Sequence, residues 1–234
     1  MPVFYAPDIK GDTYILNEEE SKHASRVLRL SLGDEVILTD GKGNWMPSVI
    51  MDAHAKRCLI QVKEVIPNYQ ALPYELHMAV APTKNISRYE WYLEKATEIG
   101  IHKITALRTE HSERKDIKLA RLEKVITAAM KQSLKAYHPS LEAMIAFKDF
   151  MKAPFEGKKF IAWCEAKPGE RLEKYLSKGE KALILIGPEG GFSPSEIQQA
   201  MEEGFHAISI SQSRLRTETA ALVACHSVAF INQS

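Results

Sequence analysis

Apolar and polar positions follow two different rhythms along this chain, and the change between them falls near residue 71. From Tyr14 to Val65 the pattern is one of short alternating runs separated by turn residues: EVILTD at 35–40, GKGN at 41–44, WMPSVIMDA at 45–53 and RCLIQVKEV at 57–65. Alternation of that length predicts strands joined as hairpins into a small barrel or sandwich. One helix is predicted inside this part, over NEEESKHASRVLRL (17–30), with Asn17 as its N-cap and Glu20 at the third position of a capping box. Residues 66–74, with Pro67 and Pro73 and no periodicity, predict a linker, so the expected domains are 1–70 and 71–234.

Beyond the linker, apolar strands alternate with amphipathic helices. Strands are predicted at 75–81, 103–107, 160–164, 182–186 and 207–210. Helices are predicted at 87–99, 119–134, 168–176, 193–203 and 216–231. This order predicts an α/β domain, a mostly parallel sheet with helices on both faces. Ligands of such sheets sit beyond the carboxyl ends of the strands. No repeat of 20 to 50 residues runs through the chain, which sets aside solenoids and propellers.

With 234 residues, 45% hydrophobic and 26% charged, the chain has ordinary globular usage and enough length for a core without staples. Its three cysteines, Cys58, Cys164 and Cys225, are far apart and cannot all pair, which points to a reducing compartment. The first residues, MPVFYAPDIKGD, have no basic segment followed by an apolar run, and no stretch approaches eighteen apolar residues. A cytoplasmic location without a membrane span is therefore expected. The formal net charge of +1 neither reveals nor excludes nucleic-acid binding, because any such footprint must be a local patch.

The most informative segment is LILIGPEGGFSPSE (183–196), an apolar strand running into Gly187, Glu189, Gly190 and Gly191 and then into a helix capped by Ser193, with Pro194 first and Glu196 third. Glycines let main chain approach a ligand closely, although a tight strand-to-helix turn needs them as well. Neither a Rossmann fingerprint nor a P-loop is present. A second segment, ISISQSRLRTETA (208–220), passes from a strand into Arg214, Arg216 and Glu218. The arginine forks suit phosphate or a polyanion, while Glu218 could instead be tied to one of them as an internal ion pair.

Further cations cluster where strands give way to loops. Lys84 and Arg88 follow the strand at 75–81, and Arg108, His111, Ser112, Arg114 and Lys115 follow the strand at 103–107. In the first part, His23, Arg26 and Arg29 recur at helical spacing, where one face could touch phosphates; a solvated charged face is the alternative. Lys42, Lys56 and Arg57 could extend this patch. The eight histidines show no metal-binding spacing and no G-x-S-x-G elbow occurs, so neither a metal site nor serine hydrolysis is expected.

In combination and order, GPEGGFS (187–193), LRTETAA (215–221), the Lys84 to Arg88 stretch leading into WYLEKATEIG (91–100), RTEHSER (108–114) and HASRVLR (23–29) resemble the ribosomal RNA small subunit methyltransferase E family over essentially the whole chain. The resemblance implies an N-terminal PUA-like RNA-binding β-barrel and a C-terminal SPOUT domain with a deep trefoil knot. It also implies a homodimer formed through the C-terminal domain, acting with S-adenosylmethionine on N3 of uridine 1498 in helix 44 of 16S ribosomal RNA. Carried onto this chain, the cofactor would be held by Cys164, Glu165, Leu185, Ile186, Gly187, Glu189, Gly190, Gly191, Ile210, Ser211, Ser213 and Leu215. RNA would be held by His23, Arg26, Arg29, Lys84, Arg88, Arg108 and Arg114. Arg216 and Glu218 are the candidate catalytic pair, Arg216 for the developing negative charge, with the base unassigned. Two stretches depart from the family pattern. MKQSLK (130–135) has lysines where an acid and an arginine are common, and ISQSRLR (210–216) lacks the usual glycine. A non-catalytic RNA-binding protein, or a methyltransferase for another RNA nucleotide, are the competing readings.

Overall fold

The structure, a computed structural model, describes residues 1–167 and 169–233, and these form two units. The first contains residues 1–71 together with 127–138, and the second residues 72–126 and 139–233. The segment 127–138 lies well past the boundary expected near residue 71, yet packs with the first unit.

The first unit is built on a five-stranded sheet. Its strands are β1 (Val3–Tyr5), β2 (Thr13–Ile15), β3 (Glu35–Thr39), β4 (Trp45–Asp52) and β5 (Leu59–Val62), in the order β1-β3-β4-β5-β2. The three hairpin strands expected from the pattern are β3, β4 and β5; β1 and β2 are too short to leave a periodic signal. Alternate residues of these strands, Val36, Leu38, Ile50 and Ile60, meet Phe4, Leu16 and Ala24 in one core. A second cluster joins Val3, Ile37 and Trp45 to Ala136, which comes from the distant 127–138 segment. That segment is tied in by main chain as well: Gly43 N–H donates to Ala136 O at 3.0 Å and His138 N–H to Gly41 O at 2.8 Å.

The single helix expected over 17–30 is interrupted. An α-helical turn, α1 (Glu18–Lys22), is followed by a π-helical turn at His23–Val27, in which the N–H of Leu28 reaches back to His23 O at 2.9 Å. Asn17 caps as expected, its Oδ1 accepting from the Glu20 N–H at 2.9 Å. The reciprocal half of the capping box is absent, because the Glu20 carboxylate accepts instead from Lys131 Nζ at 2.6 Å.

The second unit carries a six-stranded, wholly parallel sheet. Its strands are β6 (Glu75–Val80), β7 (Lys103–Arg108), β8 (Ser140–Ala146), β9 (Lys158–Ala162), β10 (Lys181–Ile186) and β11 (His206–Ile208), in the order β11-β9-β10-β6-β7-β8. Helices α2 (Ile86–Ile99), α3 (Leu119–Gln132, of which residues 127–132 belong to the first unit), α5 (Pro194–Glu202) and α6 (Thr217–Gln233) are joined by the short α4 (Phe147–Phe150) and a 3₁₀ turn at Leu172–Lys174. The sheet is covered on both faces, and β10 records this in its sequence. Ala182, Ile184 and Ile186 enter one cluster with Tyr89, Tyr92 and Leu93 of α2 and Ala221 and Val228 of α6. Leu183 and Leu185 enter the other with Ile197 of α5, Phe147 and Phe150. Burial on both sides explains why β10 reads as an unbroken apolar run rather than an alternating one.

Three expectations are corrected here. An eighth strand, β8, was not expected, because SLEAMIA lies at the sheet edge with mixed burial and so lacks a clean alternation of apolar and polar positions. The helix expected at 168–176 is only the 3₁₀ turn, and its expected start at Pro168 lies outside the described residues. The last strand ends at Ile208 rather than residue 210, leaving Ser209 to Arg216 as loop.

Candidate cofactor and RNA site of the parallel sheet

Five loops leave the carboxyl ends of adjacent strands: residues 81–85 after β6, 109–118 after β7, 163–167 after β9, 187–193 after β10 and 209–216 after β11. The glycine turn after β10 is locally determined. Gly191 N–H donates to Pro188 O at 2.9 Å, and Gly191 has φ +72°, a conformation that costs glycine nothing. α5 then begins with the complete capping box expected from the sequence. Ser193 Oγ accepts from the Glu196 N–H, and Glu196 Oε2 accepts from the Ser193 N–H at 2.9 Å.

Neighbouring loops are bound to this turn. Lys84 N–H donates to Glu189 Oε1 at 3.0 Å, and Glu110 N–H donates to Glu196 Oε1 at 2.9 Å. His111 Nδ1 stands 3.2 Å from both Gly190 O and Gly191 O, so the tautomer that donates from Nδ1 is the one that fits. Arg114 spends its fork on main chain, Nε donating to Thr83 O at 3.0 Å and Nη2 to Lys84 O at 2.7 Å. The Lys84 ammonium pairs with Glu113 at 2.8 Å. Among the proposed RNA contacts of this unit, then, Lys84 and Arg114 already have protein partners.

Arg216 is exposed and has no ion-pair partner among the described residues, whereas Glu218 is buried at the first turn of α6, 3.8 Å from Arg88 Nε. The internal ion pair weighed for Glu218 therefore runs to Arg88 rather than to Arg214 or Arg216. Arg108 is exposed, and its charge helps hold the Asp149 carboxyl below the usual aspartate range, behind the larger effect of Lys152.

The residues expected at the cofactor sort by depth. Leu185 and Ile186 have buried side chains on opposite faces of the sheet, so neither side chain is open to a ligand. Cys164, Glu165, Ser211 and Ser213 are exposed on their loops, with Ile210 and Leu215 half-buried. Ser213 N–H donates to Ser211 Oγ at 3.1 Å, a local turn in the place of the missing glycine. A cleft of about 600 Å³ opens beside the loops after β9 and β10, with Trp163, Glu165, Phe192, Ile197 and Met201 among its walls. Sequence reasoning named Glu165 but missed Trp163 and Phe192; an aromatic directly after a buried strand and another closing a glycine turn were the available signals. In the first unit His23, Arg26 and Arg29 are all exposed, Arg29 with φ +55°, beside exposed Val27, Leu28 and Leu32. Among the described residues no cluster of potential metal ligands occurs, and no helix is long and apolar enough to cross a membrane.

Comparison with known proteins agrees with this geometry. Residues 70–229 match the model of an RNA methyltransferase domain, and residues 16–63 that of an RNA methyltransferase PUA domain. A parallel sheet with its loops at the carboxyl ends and an appended PUA-like domain is thus an α/β RNA methyltransferase. The ribosomal RNA small subunit methyltransferase E of Synechocystis is 29% identical over 219 residues, which cover 91% of this chain and 71% of that one. The crystal structure of a probable rRNA-methyltransferase from Porphyromonas gingivalis is 40% identical with a TM-score of 0.92, covering 100% of this chain and 99% of its own. That of ribosomal RNA small subunit methyltransferase E from Neisseria gonorrhoeae, bound to S-adenosyl methionine, is 26% identical with a TM-score of 0.91 and covers 99% and 98%. The chain belongs to the ribosomal RNA small subunit methyltransferase E family.

Proposed function

We propose that this protein methylates N3 of uridine 1498 in helix 44 of 16S ribosomal RNA, using S-adenosylmethionine. The observation that carries the reading is the set of loops at the carboxyl ends of β9, β10 and β11, in a chain whose relatives are named ribosomal RNA small subunit methyltransferase E and whose structural relatives include two with S-adenosyl methionine bound. The residues fit the cofactor. A β-carbon at Gly187 would stand 3.1 Å from the Phe192 ring and one at Gly190 3.0 Å from His111 Cβ, whereas at Gly191 nothing lies within 4 Å. The Gly191 position is open, and the cleft next along the chain, walled by Phe192 and Trp163 with Glu165 as the expected cofactor residue in its lining, offers apolar contact for a nucleoside.

S-adenosylmethionine supplies a methyl group on a sulfonium sulfur. The chain's own task is to present uridine N3 in line with that carbon, at about 3 to 3.5 Å, and to tolerate the charge that develops as the N3 proton leaves. Arg216, exposed and uncommitted beside the loop after β11, stabilises the negative charge accumulating on the uracil oxygens. Glu218 orients Arg88 rather than acting as the base, because its carboxylate is buried next to that guanidinium. Arg26 and Arg29 of the first unit grip phosphates and fix register, without reading the base.

Three further features belong to this reading. The second unit, with its expected span of 71–234, is a SPOUT domain with a trefoil knot formed by the loops around β9, β10 and β11. The protein is a homodimer through this domain, for which the exposed Phe230 of α6 and Trp91 of α2 offer apolar contact. The site of action is the cytoplasm.

The test is transfer of labelled methyl from S-adenosylmethionine to unmodified small ribosomal subunits, read by position mapping and nucleoside mass spectrometry. 3-Methyluridine at position 1498 is the expected product; a methylated nucleoside elsewhere would overturn the target. Arg216→Gln should keep subunit binding and lower kcat by at least about tenfold, since a lost donor at a developing charge costs 10²–10³ in well-studied oxyanion holes. Unchanged turnover in the folded variant would remove Arg216 from the mechanism.

A further inference from the structure

Glu196 is a buried carboxylate whose two oxygens serve different loops. Oε2 closes the capping box of α5 through the Ser193 N–H, and Oε1 accepts from the Glu110 N–H, 86 residues earlier in the chain. No cation pairs with it among the described residues, so its charge rests on these donors and on the start of α5. Capping α5 requires only the first of the two bonds. The second fastens the loop after β7, which follows Arg108 and carries Arg114, to the helix that follows the glycine turn. Two more links run in parallel, His111 to the carbonyls of Gly190 and Gly191, and Lys84 N–H to Glu189. Arg114 then ties the β7 loop to the main chain at Thr83 and Lys84. β10, β6 and β7 are adjacent strands, so the three loops form one hydrogen-bonded rim, in which Glu196 is a buried carboxylate that bonds to two loops at once.

We propose that Glu196 is a positioning residue that couples occupancy of the RNA-facing loops to occupancy of the cofactor turn, making the two ligands bind with positive cooperativity. This rests on the functional reading above, extended by the RNA contacts that the family resemblance implies for Lys84 and Arg88 after β6 and for Arg108 and Arg114 at the end of β7, with the loop after β10 holding the cofactor. Because both oxygens of Glu196 are engaged, a ligand that favours one arrangement of either loop favours the same arrangement of the other, and the coupling is reciprocal.

The experiment measures the dissociation constant of S-adenosylhomocysteine for the full chain, by equilibrium dialysis, with and without saturating unmethylated small ribosomal subunits. In the wild type the subunits should tighten cofactor binding by about tenfold, within the usual range of coupling between sites. Glu196→Gln places an amide donor against one of two N–H donors, so it must release one bond; the tightening should fall to about twofold or less. Ser193→Ala, which removes the hydroxyl of the same cap and leaves the Glu110 bond, should keep the wild-type factor. Glu110→Pro deletes the N–H donor from the other side without touching α5 and should behave like Glu196→Gln; it decides the matter if Glu196→Gln fails to fold. A wild-type factor near one, or full coupling retained in Glu196→Gln or in Glu110→Pro, overturns the proposal. A wild type that binds no S-adenosylhomocysteine at all would instead overturn the functional reading, and this inference with it.

Discussion

Acidification should weaken the second unit through one histidine. His77 lies in β6 between its neighbours β10 and β7, with its ring edge-on to Phe150 at 5.7 Å and tilted to Phe155 at 6.4 Å. Burial, helped by Lys103 and opposed by Glu142 and Glu75, lowers its pKa from 6.5 to about 4. The hydrogen bond between Nε2 and Thr105 Oγ1, 2.8 Å long, suits the neutral ring, and the hydroxyl offers no charge to a protonated one. In the unfolded chain the ring takes its proton near pH 6.5; in the folded chain it does so only near pH 4. The stabilisation is therefore complete above pH 6.5 and is lost as pH falls from there towards 4. The slope is about 1.4 kcal/mol per pH unit for one proton, so about 2 kcal/mol is lost between pH 6.5 and 5, less whatever residual solvent access returns. Urea unfolding of wild type and His77→Phe at pH 7 and pH 5 isolates this histidine, because every other titrating group is common to both. His77→Phe should lose about 2 kcal/mol less than wild type over that interval, whatever its stability at pH 7. An equal loss in the two proteins, or an NMR titration of the His77 ring with a midpoint near 6.5, would refute the argument.

Three further outcomes are expected. Asn17→Ala removes the acceptor for the Glu20 N–H at the start of α1 and should cost about 1 kcal/mol in denaturant unfolding, with Asn17→Ser close to neutral. Of the three thiols, Cys58 and Cys225 are buried, Cys225 with its pKa pushed up to about 12, so a colourimetric thiol reagent should titrate one group, Cys164, in the native protein and three after denaturation. Arg26→Gln and Arg29→Gln should each weaken RNA binding and reduce the slope of log K against log salt by about 0.7 to 0.9, with kcat at saturating RNA unchanged.

What the sequence made legible was whatever is decided within about a dozen residues. The strand LILI, the glycine turn and the Ser193, Pro194, Glu196 cap are local, and all appear where the pattern put them. The helix at 17–30 is the instructive miss. Its apolar and polar positions suit an α-helix, but the chain gains one residue per turn at His23–Val27, and nothing in periodicity marks the place. Contacts at long separation were out of reach. Glu20 looked like half of a capping box and is held by Lys131; Glu218 looked like a partner of Arg216 and lies by Arg88; Glu196 was visible as a cap but not as the anchor of Glu110. A carboxylate has more than one claimant, and only the fold decides between them.

The discontinuity of the first unit bears on how the protein is made. Ala136 completes the cluster around Trp45, and Gly41 and Gly43 bond to main chain of the 127–138 segment, so one side of the unit stays unfinished until that segment exists. During synthesis at about 5–20 residues per second, the stretch from residue 71 to residue 138 takes several seconds to appear, and for that time the sheet waits with one side unfinished. The sheet and its larger core, all from residues before 63, can form early, but the smaller cluster around Trp45 is finished only once Ala136 has been made. A fragment ending at residue 71 reproduces that waiting state, and grafting this RNA-binding module onto another enzyme would require carrying over two pieces of chain rather than one.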